Sequence, residues 1–437
     1  MLSPELLRKD TRELFMSRAF TLHLLLAGPL VGQAFVTAVR AYAEASGGGG
    51  NAALAEGLSP LDGILVPTFG AYDLIATFVF PFVAVRLVSA EKESGALKLL
   101  LQGPAGLPQQ LFSKAAALLV AWLAALLPGL LAIALWAAYG GHFYAVEVAN
   151  LVLGHLLRAG LGAAVAIAAA AAMDGASSAA IVTLAFTVGT WALDFVAAGR
   201  SGPVRTAAEL TPEALLHVFE RGELDVSSTL AALVLTVGGF AAAGVFLAPS
   251  APRVKAVRGA LVVGVAALAL LAVRGVRASW DLSEDRRNSF SPEDEAALGP
   301  LGARGLTVRI HLAAEDPRLA DYERGALLKL RRAVPALRVV YVAASRSGLF
   351  ESDPRYGEIR YELDGLRATT RATGEAITLQ EIYGLARIAP PARAVRPSRT
   401  GFPLAVAPRF ADTLFFIVWP LAAAAFWLRA RRPWRST

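Results

Sequence analysis

The chain contains no cysteine among its 437 residues. This absence excludes a disulfide framework, thiolate metal sites, Cys-x-x-Cys redox chemistry and a cysteine nucleophile. Histidine is scarce as well, and its five copies are scattered without the spacing of metal ligands, so the sequence predicts no metal site. The five are His23, His142, His155, His217 and His311.

Signatures of nucleotide binding and hydrolysis are also missing. No Gly-x-x-x-x-Gly-Lys-Ser/Thr motif occurs, and the glycine run at 47–50 lacks the lysine and hydroxyl that a phosphate site needs. Ser345, Asp316, Asp353 and Glu358 are not accompanied by a Gly-x-Ser-x-Gly elbow, and loop polarity accounts for them. The sequence therefore predicts no catalytic residue, no cofactor bound by this chain and no enzymatic activity of its own.

Charged residues make up only 18% of the chain, against 55% hydrophobic residues and a mean hydropathy of +0.52. A soluble globule of this length is rarely so apolar. A helix needs about 20 apolar residues to cross a bilayer, and eight stretches qualify. They are Ala19–Ala43, Ile64–Val88, Leu111–Ala138, Leu151–Met173 (with an outer end as early as Tyr144), Ser178–Ala198, Thr229–Leu247, Gly259–Val276 and Phe410–Leu428. The predicted fold class is a mainly α-helical polytopic membrane protein with about eight transmembrane helices.

The orientation follows from the loops that carry lysine and arginine, which are enriched on the cytoplasmic side. The loops at 44–63 and 140–143 contain neither, whereas Arg200, Arg205 and Arg221 are exceptions in the loop before the sixth stretch. Both termini are predicted to be cytoplasmic. The net charge of +7 is then explained by basic loops on anionic lipid rather than by nucleic acid. The basic residues of the predicted inner side are Arg8, Lys9, Arg12, Arg18, Lys92, Lys98, Lys114, Arg253, Lys255, Arg258, Arg429, Arg431, Arg432 and Arg435.

The first residues could be mistaken for a secretion signal because Ala41-Tyr42-Ala43 follows an apolar run. The length of that run and the acidic residues before it argue against cleavage. Residues 1–18 are instead predicted to form an interfacial helix with Ser3 as its N-cap and Pro4 at its first position. Its lipid-facing residues would be Leu6, Leu7, Leu14 and Phe15.

About 130 polar residues separate the seventh and eighth apolar stretches, which predicts a water-soluble domain on the outer side. Its pattern reads strand, helix, strand, strand, strand, helix, as in a small α/β domain compatible with a thioredoxin-like topology. The elements are Leu306–Leu312, Pro317–Val334, Leu337–Ala343, Tyr356–Leu363, Leu366–Thr373 and Ile377–Arg387, with a turn at Asp364-Gly365. Pro390, Pro391, Pro397 and Pro403 mark a stiff linker back to the membrane.

A charged amphipathic segment, residues 86–104, follows the second apolar stretch directly. Taken alone, it is either a solvated loop or a short helix that docks into a groove of a partner. The segment resembles the coupling segment of ABC-2 type transporter permeases, in which Arg precedes Glu-x-Glu-x-Gly-x-Leu-x-Leu-Leu, then Pro and a Lys that opens the third span. The matching residues are Arg86, Glu91, Glu93, Gly95, Leu97, Leu99, Leu100, Pro104 and Lys114, while Ala96 stands where the family usually has Thr.

Two further stretches narrow the resemblance. Residues 210–225 are similar to the outer loop of gliding-motility-type ABC permeases, although the residues alone indicate a surface helix between Thr211 and Gly222. Residues 280–298, with Asp-Leu-Ser and Ser-x-Ser-Pro, resemble the start of the auxiliary component of gliding-motility-type transporters. The resemblance implies a permease fused to a shortened auxiliary domain.

Ionisable residues inside apolar spans are costly in hydrocarbon and are therefore candidates for function. Arg158 and His155 in the fourth stretch, Asp73 in the second and Asp194 in the fifth qualify. Arg158 would pair with Asp73 or Asp194 in a transport role. Alternatively, these side chains lie near the outer boundary, where Arg158 and His155 snorkel to water.

Four units are expected: a six-span permease at 1–250, a seventh span at 251–278, an outer α/β domain at 279–408, and an eighth span with a basic tail at 409–437. The resemblance implies the membrane subunit of an exporter in a bacterial inner membrane, acting as a homodimer or as a pseudo-dimer with another permease. A separate cytoplasmic ATPase, carrying ATP and Mg, would dock on residues 90–114, and Glu91 and Glu93 would form the mechanical link. Envelope proteins are possible partners of 279–408, periplasmic or extracellular. The alternative is a non-transporting scaffold whose outer domain recruits envelope or motility components.

Overall fold

A computed structural model describes residues 3–46, 59–197, 202–276, 278–313, 316–334, 336–342, 354–392 and 409–430. Several residues considered above lie outside these ranges, namely the glycine run at 47–50, Arg200, Ser345, Asp353, Pro397, Pro403, Arg431, Arg432 and Arg435.

Eight helices in the described part are long and apolar enough to cross a membrane, which fits a polytopic helical membrane protein. Each overlaps one of the predicted stretches, so the predicted number and order of apolar helices are confirmed. We call them spans 1 to 8: Arg18–Ala45, Leu61–Glu93, Leu107–Ala138, Ala145–Ala172, Ala176–Asp194, Val226–Leu247, Pro252–Val273 and Arg409–Arg429.

Through span 7, the described residues form thirteen α-helices, together with a π-helical turn, Leu61–Leu65, at the start of span 2. Spans 2 and 3 are each broken once beside a proline, Pro81 or Pro128, because proline supplies no amide hydrogen to the helix. The α-helices are α1 Pro4–Phe15, α2 Arg18–Ser46, α3 Val66–Phe78, α4 Phe80–Glu93, α5 Ala96–Gln102, α6 Leu107–Ala125, α7 Leu127–Ala138, α8 Ala145–Ala172, α9 Ala176–Ala197, α10 Pro203–Ala208, α11 Pro212–Glu220 and, before span 7, α12 Val226–Leu247; span 7 itself is α13, Pro252–Val273.

Helix α1 begins as predicted, since the Ser3 hydroxyl accepts a hydrogen bond from the Leu6 amide and Pro4 occupies the first position. The prediction that Leu14 faces lipid is wrong. Its side chain is buried in the core, and the neighbouring Phe15 ring packs against Phe20 and Phe426. Helix α1 therefore packs against the helical bundle through this side.

Spans 7 and 8 pack on different spans of the helical bundle. Span 7 packs along α12, and none of its residues, all of which the structure describes, is buried. Span 8 packs on α2, where its aromatic residues Trp419 and Phe415 lie directly over Gly28 and Gly32. The Trp419 indole nitrogen donates a hydrogen bond of 2.7 Å to the carbonyl of Leu24. Small residues spaced four apart permit such close packing of membrane helices.

The predicted outer domain (residues 279–408) contains a four-stranded sheet. Its order is β4 (Arg338–Tyr341), β3 (Thr307–Ile310), β5 (Ile359–Leu363) and β6 (Leu366–Thr370), and the predicted strands and hairpin are confirmed. Strands β3 and β4 are parallel, whereas β3/β5 and β5/β6 are antiparallel. The hairpin turns at Asp364 and Gly365, and both residues have a positive φ. A two-residue turn requires this conformation in order to match the twist of the strands. The elements are β1 Glu223–Asp225, β2 Ser279–Asp281, α14 Pro292–Leu298, β3 Thr307–Ile310, α15 Pro317–Tyr322, α16 Leu328–Ala333, β4 Arg338–Tyr341, β5 Ile359–Leu363, β6 Leu366–Thr370 and α17 Glu375–Ala386, followed in span 8 by α18 Arg409–Thr413 and α19 Trp419–Ala430.

This domain has its own core and also contacts the part of the chain that contains spans 1 to 6. Strand β2 pairs antiparallel with β1, which directly precedes span 6. The Arg332 guanidinium donates to the Glu223 carboxylate at 2.5 Å, and the Glu284 amide donates to the Glu147 carboxylate at 2.6 Å. These contacts lie at the ends of the spans opposite to α5. The domain and the predicted coupling segment therefore occupy opposite ends of the helical bundle.

Candidate functional site

The predicted coupling segment forms two helices joined by a sharp elbow. Helix α4 ends at Glu93, and Gly95 adopts a positive φ of 76°, a conformation that glycine takes without steric cost. Helix α5 then runs to Gln102, and Gly103 ends it. The Gln110 side chain donates to the carbonyls of Leu100 and Ala105 at 2.8 and 3.0 Å, which holds the following loop against α6.

The apolar residues of α5 divide between the core and the surface. Leu97 is buried and Leu100 is partly buried, whereas Leu99 is 72% exposed. At the start of α6, Phe112 is 60% exposed. Arg86 and Pro104 are exposed as well, and neither makes an ion pair or hydrogen bond described in this part of the structure. Exposed apolar side chains at this end of the bundle are available to a partner.

Glu91 does not lie on this surface. Its side chain is buried in an ion cluster that we define as Lys9, Asp10, Glu91, Ser113 and Lys114, contributed by α1, α4 and α6. Lys114 Nζ is 2.8 Å from Glu91 and 3.6 Å from Asp10, and the Ser113 hydroxyl donates to Asp10 at 2.8 Å. Lys9 also pairs with Glu91. Glu91, one of the two residues predicted to form the mechanical link, thus holds three helices together through its carboxylate.

Lysine side chains neutralise negative charge in the ion cluster. The carboxylates of Asp10, Glu13 and Glu91 lie within 4.8 Å of one another, a spacing that would suit a cation. However, the ammonium groups of Lys9 and Lys114 already lie among them. Burial alone would lower the pKa of Lys9, but its hydrogen bond to Glu91 and the neighbouring acidic groups raise it overall. The positive charges of the lysines therefore take the place of a metal ion.

The end of α4 is fastened to the turn between spans 4 and 5. The ammonium of Lys92 donates to the carbonyls of Ala170, Ala171 and Met173 at 3.1, 3.1 and 2.5 Å, which caps the end of span 4. The exposed Glu93 accepts a hydrogen bond of 3.1 Å from the Ala176 amide at the start of span 5. We call these contacts the α4 clamp. Sequence reasoning missed Lys92, although a lysine that can reach a helix C-terminus is a recognisable capping signal.

A cavity of about 470 Å³ lies between spans 2, 4 and 5 and the short helix α11. Its wall is largely apolar and includes the aromatic rings of Phe78, Phe186 and Trp191. A cavity of this size and lining is typical of sites that bind small molecules. The polar groups in the wall are Asp73, Thr77, His155, Arg158, Thr187, Thr190, Glu213 and Glu220.

Arg158 is the centre of the polar groups in this wall. Its guanidinium lies 2.6 Å from Asp73 and 2.7 Å from Glu213, and it donates to the Thr77 hydroxyl at 2.9 Å. The expected pairing with Asp73 is confirmed, whereas Arg158 does not pair with Asp194. The Arg158 side chain is only 12% exposed, because both carboxylates hold it inside the helical bundle.

His155 is also buried rather than directed toward water. Its ring packs against Phe69 and Tyr72, with centroids 5.3 and 5.9 Å away, and its Nδ1 lies 3.7 Å from Asp73. Neither ring nitrogen has a hydrogen-bond partner among the described residues, and both are buried. The residue contributes to the wall of the cavity.

Helix α11 brings Glu213 to the cavity. Thr211 caps the helix and Gly222, with a φ of 75°, ends it, as predicted. The helix has two faces, because Leu215, Leu216 and Phe219 are buried whereas His217 is exposed. Phe219 packs directly over Gly154 of span 4. The sequence gives no sign that an acidic residue of a loop helix reaches a membrane-embedded arginine.

His217 lies beside the cavity and bridges two acidic residues of α11. Its Nε2 is 3.4 Å from Glu213, and its Nδ1 is 2.6 Å from Glu220. The hydrogen bond to Glu220 raises the pKa of His217 above its ordinary value, against the opposing effect of burial. Asp194 of span 5 adds to this increase through its charge.

No protein-family model matches the chain, and neither a curated protein nor a solved structure does. The function is therefore inferred from the geometry of the predicted coupling segment and of the cavity, together with the sequence resemblance.

Proposed function

We propose that the chain is the membrane-spanning permease subunit of an ABC-2 type exporter, energised by a separate cytoplasmic ATPase that docks on residues 90–114. ATP and Mg belong to that partner. The α4 clamp is the observation that carries the proposal, because it joins the predicted docking segment to the helices around the cavity. An exporter needs such a connection between the energy source and the transport path.

The proposed mechanism starts at α5. Its exposed Leu99 and the exposed Phe112 of α6 provide apolar contacts for the ATPase. Nucleotide-driven movement of the ATPase displaces α5 about the Gly95 elbow and so moves α4. The clamp carries this movement to the turn between spans 4 and 5. Spans 2, 4 and 5 line the cavity, so the same movement changes its shape.

The outer domain is proposed to have a thioredoxin-like topology. The order β4-β3-β5-β6, with one parallel pair followed by an antiparallel hairpin and helix, supports this topology. Because the chain has no cysteine, the domain cannot perform dithiol exchange. It is proposed to gate the exporter or bind substrate or envelope partners outside the membrane.

The proposed location is a bacterial inner membrane, with both termini cytoplasmic and residues 279–408 periplasmic or extracellular. Two permeases, either identical copies or related chains, are proposed to form the transport unit. Span 7 supports this part of the proposal, because Val257, Leu261 and Leu268 expose apolar surface for lipid or a second permease.

The test is recovery of a Walker-motif ATPase with the purified chain, comparing Leu99→Asp with Leu366→Asp. Both residues are exposed leucines, but Leu366 lies on β6 of the outer domain. We expect the ATPase to accompany the wild type and Leu366→Asp, and its amount to fall at least about tenfold with Leu99→Asp, since a buried carboxylate opposes docking. Elution of both variants at the wild-type position on gel filtration checks their folding.

Recovery of envelope proteins in place of an ATPase, with every variant, would favour the non-transporting scaffold. The contacts between the outer domain and the permease half are compatible with that alternative, because they hold the domain in one position. Equal recovery of an ATPase with Leu99→Asp would place docking elsewhere and contradict the proposed use of residues 90–114.

A further inference from the structure

We infer that the cavity binds an amphipathic cation, a molecule with one positive charge on an apolar body. The inference rests on the proposed function, because it names the chemical class of the exported substrate. Two observations carry it: the balance of charge in the wall and the aromatic lining.

The ionisable groups of the wall have an excess of negative charge. Asp73, Glu213 and Glu220 face one guanidinium, that of Arg158. Arg158 is already bound on two sides, by Asp73 and by Glu213, so one of these two negative charges is not balanced. Glu220 is balanced only by His217, and only while that imidazole is protonated. With the imidazole of His155 beside Asp73 counted as neutral, the cavity therefore has a formal excess of one negative charge, or two when His217 is neutral as well.

An unbalanced negative charge is costly in an apolar wall unless a cation neutralises it. Coulombic attraction is stronger there than in water because the effective dielectric constant is lower. An anionic ligand would have to displace a carboxylate from Arg158 before it could bind. The charge of the wall therefore selects a cation and rejects an anion of the same shape.

The remainder of the wall suits the apolar body of such a ligand. Phe78, Phe186 and Trp191 present aromatic rings, and aromatic faces attract cations through their quadrupole. A volume of about 470 Å³ admits one drug-sized molecule.

The test measures binding of tetraphenylphosphonium and, in a separate experiment, of tetraphenylborate. These ions have nearly the same shape and opposite charge. The purified chain is placed in lipid nanodiscs without ATPase or nucleotide, and binding to empty nanodiscs is subtracted to remove partition into lipid. We expect saturable binding of one cation per cavity and no saturable binding of the anion.

Glu220→Gln removes one negative charge from the wall, and we expect it to weaken cation binding about tenfold. Glu209→Gln is the matched control, because Glu209 is an exposed glutamate just before α11 that pairs with Arg205 and Arg274 and does not line the cavity. It should bind the cation as the wild type does. Trp191→Leu removes an aromatic face without changing the charge and should weaken binding about threefold.

Saturable binding of the anion, or unchanged cation binding in both Glu220→Gln and Trp191→Leu, would overturn the inference. The wild-type comparison of the two ions remains decisive if a variant fails to fold. Failure of the proposed function is distinguishable, because cation binding without recovery of an ATPase would contradict the exporter and leave the cation site standing. Recovery of the ATPase without cation binding would do the reverse.

Discussion

Buried charged residues occur in two regions of this protein, the ion cluster and the wall of the cavity. In the ion cluster, Glu91 and Lys114 are 3% and 2% exposed, so each depends on the other for neutralisation. Removing one partner of a buried pair leaves the other charge without compensation. The cluster therefore makes the position of α1 depend on that of α4 and α6.

Lys114→Met tests this dependence. The variant leaves Lys9 as the only ammonium for Asp10 and Glu91, and we expect it to lower the free energy of unfolding by about 3–5 kcal/mol. The measurement is thermal or denaturant unfolding in detergent. Lys98→Met is the control, because Lys98 is exposed on α5. A double variant, Lys114→Met with Glu91→Leu, should recover part of the loss; no recovery would mean that Lys114 acts through packing alone.

Sequence reasoning succeeded at the residue scale where chemistry limits the choice of partner. An arginine within an apolar span needs a carboxylate, and Asp73 was one of two candidates. It did not reveal the partners of Glu91, because Lys9 and Lys114 belong to two other helices. A local amphipathic pattern marks Glu91 as polar but cannot show that two lysines meet it in the interior.

Among the elements, α11 lies in the connection between spans 5 and 6 and packs into the helical bundle. Its local signals predicted its start and end, because capping at Thr211 and the turn at Gly222 depend only on neighbouring residues. Its burial depends on the space above Gly154, which belongs to another helix. The helix therefore brings Glu213, His217 and Glu220 to the cavity.

His217 makes cation binding depend on pH. Its pKa is raised above 6.5, so the imidazole is protonated below that value and loses its proton as the pH rises through the raised pKa. Deprotonation leaves the charges of Glu213 and Glu220 on α11 and Asp194 on span 5 less balanced, with Arg221 at the end of α11 unchanged. Tetraphenylphosphonium affinity should therefore rise with pH.

The same change affects stability with the opposite sign. The charged His217–Glu220 contact stabilises the fold fully below pH 6.5, and this contribution is lost as the pH rises through the raised pKa. His217→Gln should make cation affinity nearly independent of pH above about pH 6. Binding measured at several pH values checks this, and a persistent rise in the variant would assign the titration to another group.

Gly28 and Gly32 form a groove on span 1 that receives Trp419 and Phe415 of span 8, and this contact can be tested. A side chain at Gly32 would meet Phe415, so Gly32→Leu should displace span 8 and lower the free energy of unfolding by about 1–3 kcal/mol. Gly264→Leu is the control, because Gly264 of span 7 has open space around it. Thermal unfolding in detergent measures both. Equal stability of the two variants would show that the groove does not hold span 8.

At the scale of the whole molecule, hydropathy predicted the eight spans and alternation predicted the strands of the outer domain, because both depend on short stretches of chain. The pairing of β1 with β2 and the contact of Arg332 with Glu223 were not predictable. They join residues more than fifty positions apart, and no local pattern marks such partners. The sequence therefore indicated separate parts but not their assembly.

The absence of cysteine allows a direct test of the sidedness of these parts. Arg324→Cys places a thiol on an exposed site of the outer domain, and Lys98→Cys places one on α5. A membrane-impermeant maleimide should label Arg324→Cys in intact cells with a permeabilised outer envelope. Lys98→Cys should react only after the membrane is opened. Labelling of both positions from outside would contradict the proposed orientation.

Span 8 returns to the groove on span 1, and this contact closes the polypeptide into a ring. The chain leaves span 1, passes through spans 2 to 7 and the outer domain, and comes back to where it started. A closed ring of linked rigid parts has fewer independent motions than an open chain of the same parts. Consequently, a movement of span 1 relative to span 6 also moves span 8 relative to span 6, unless span 8 leaves its contact with span 1.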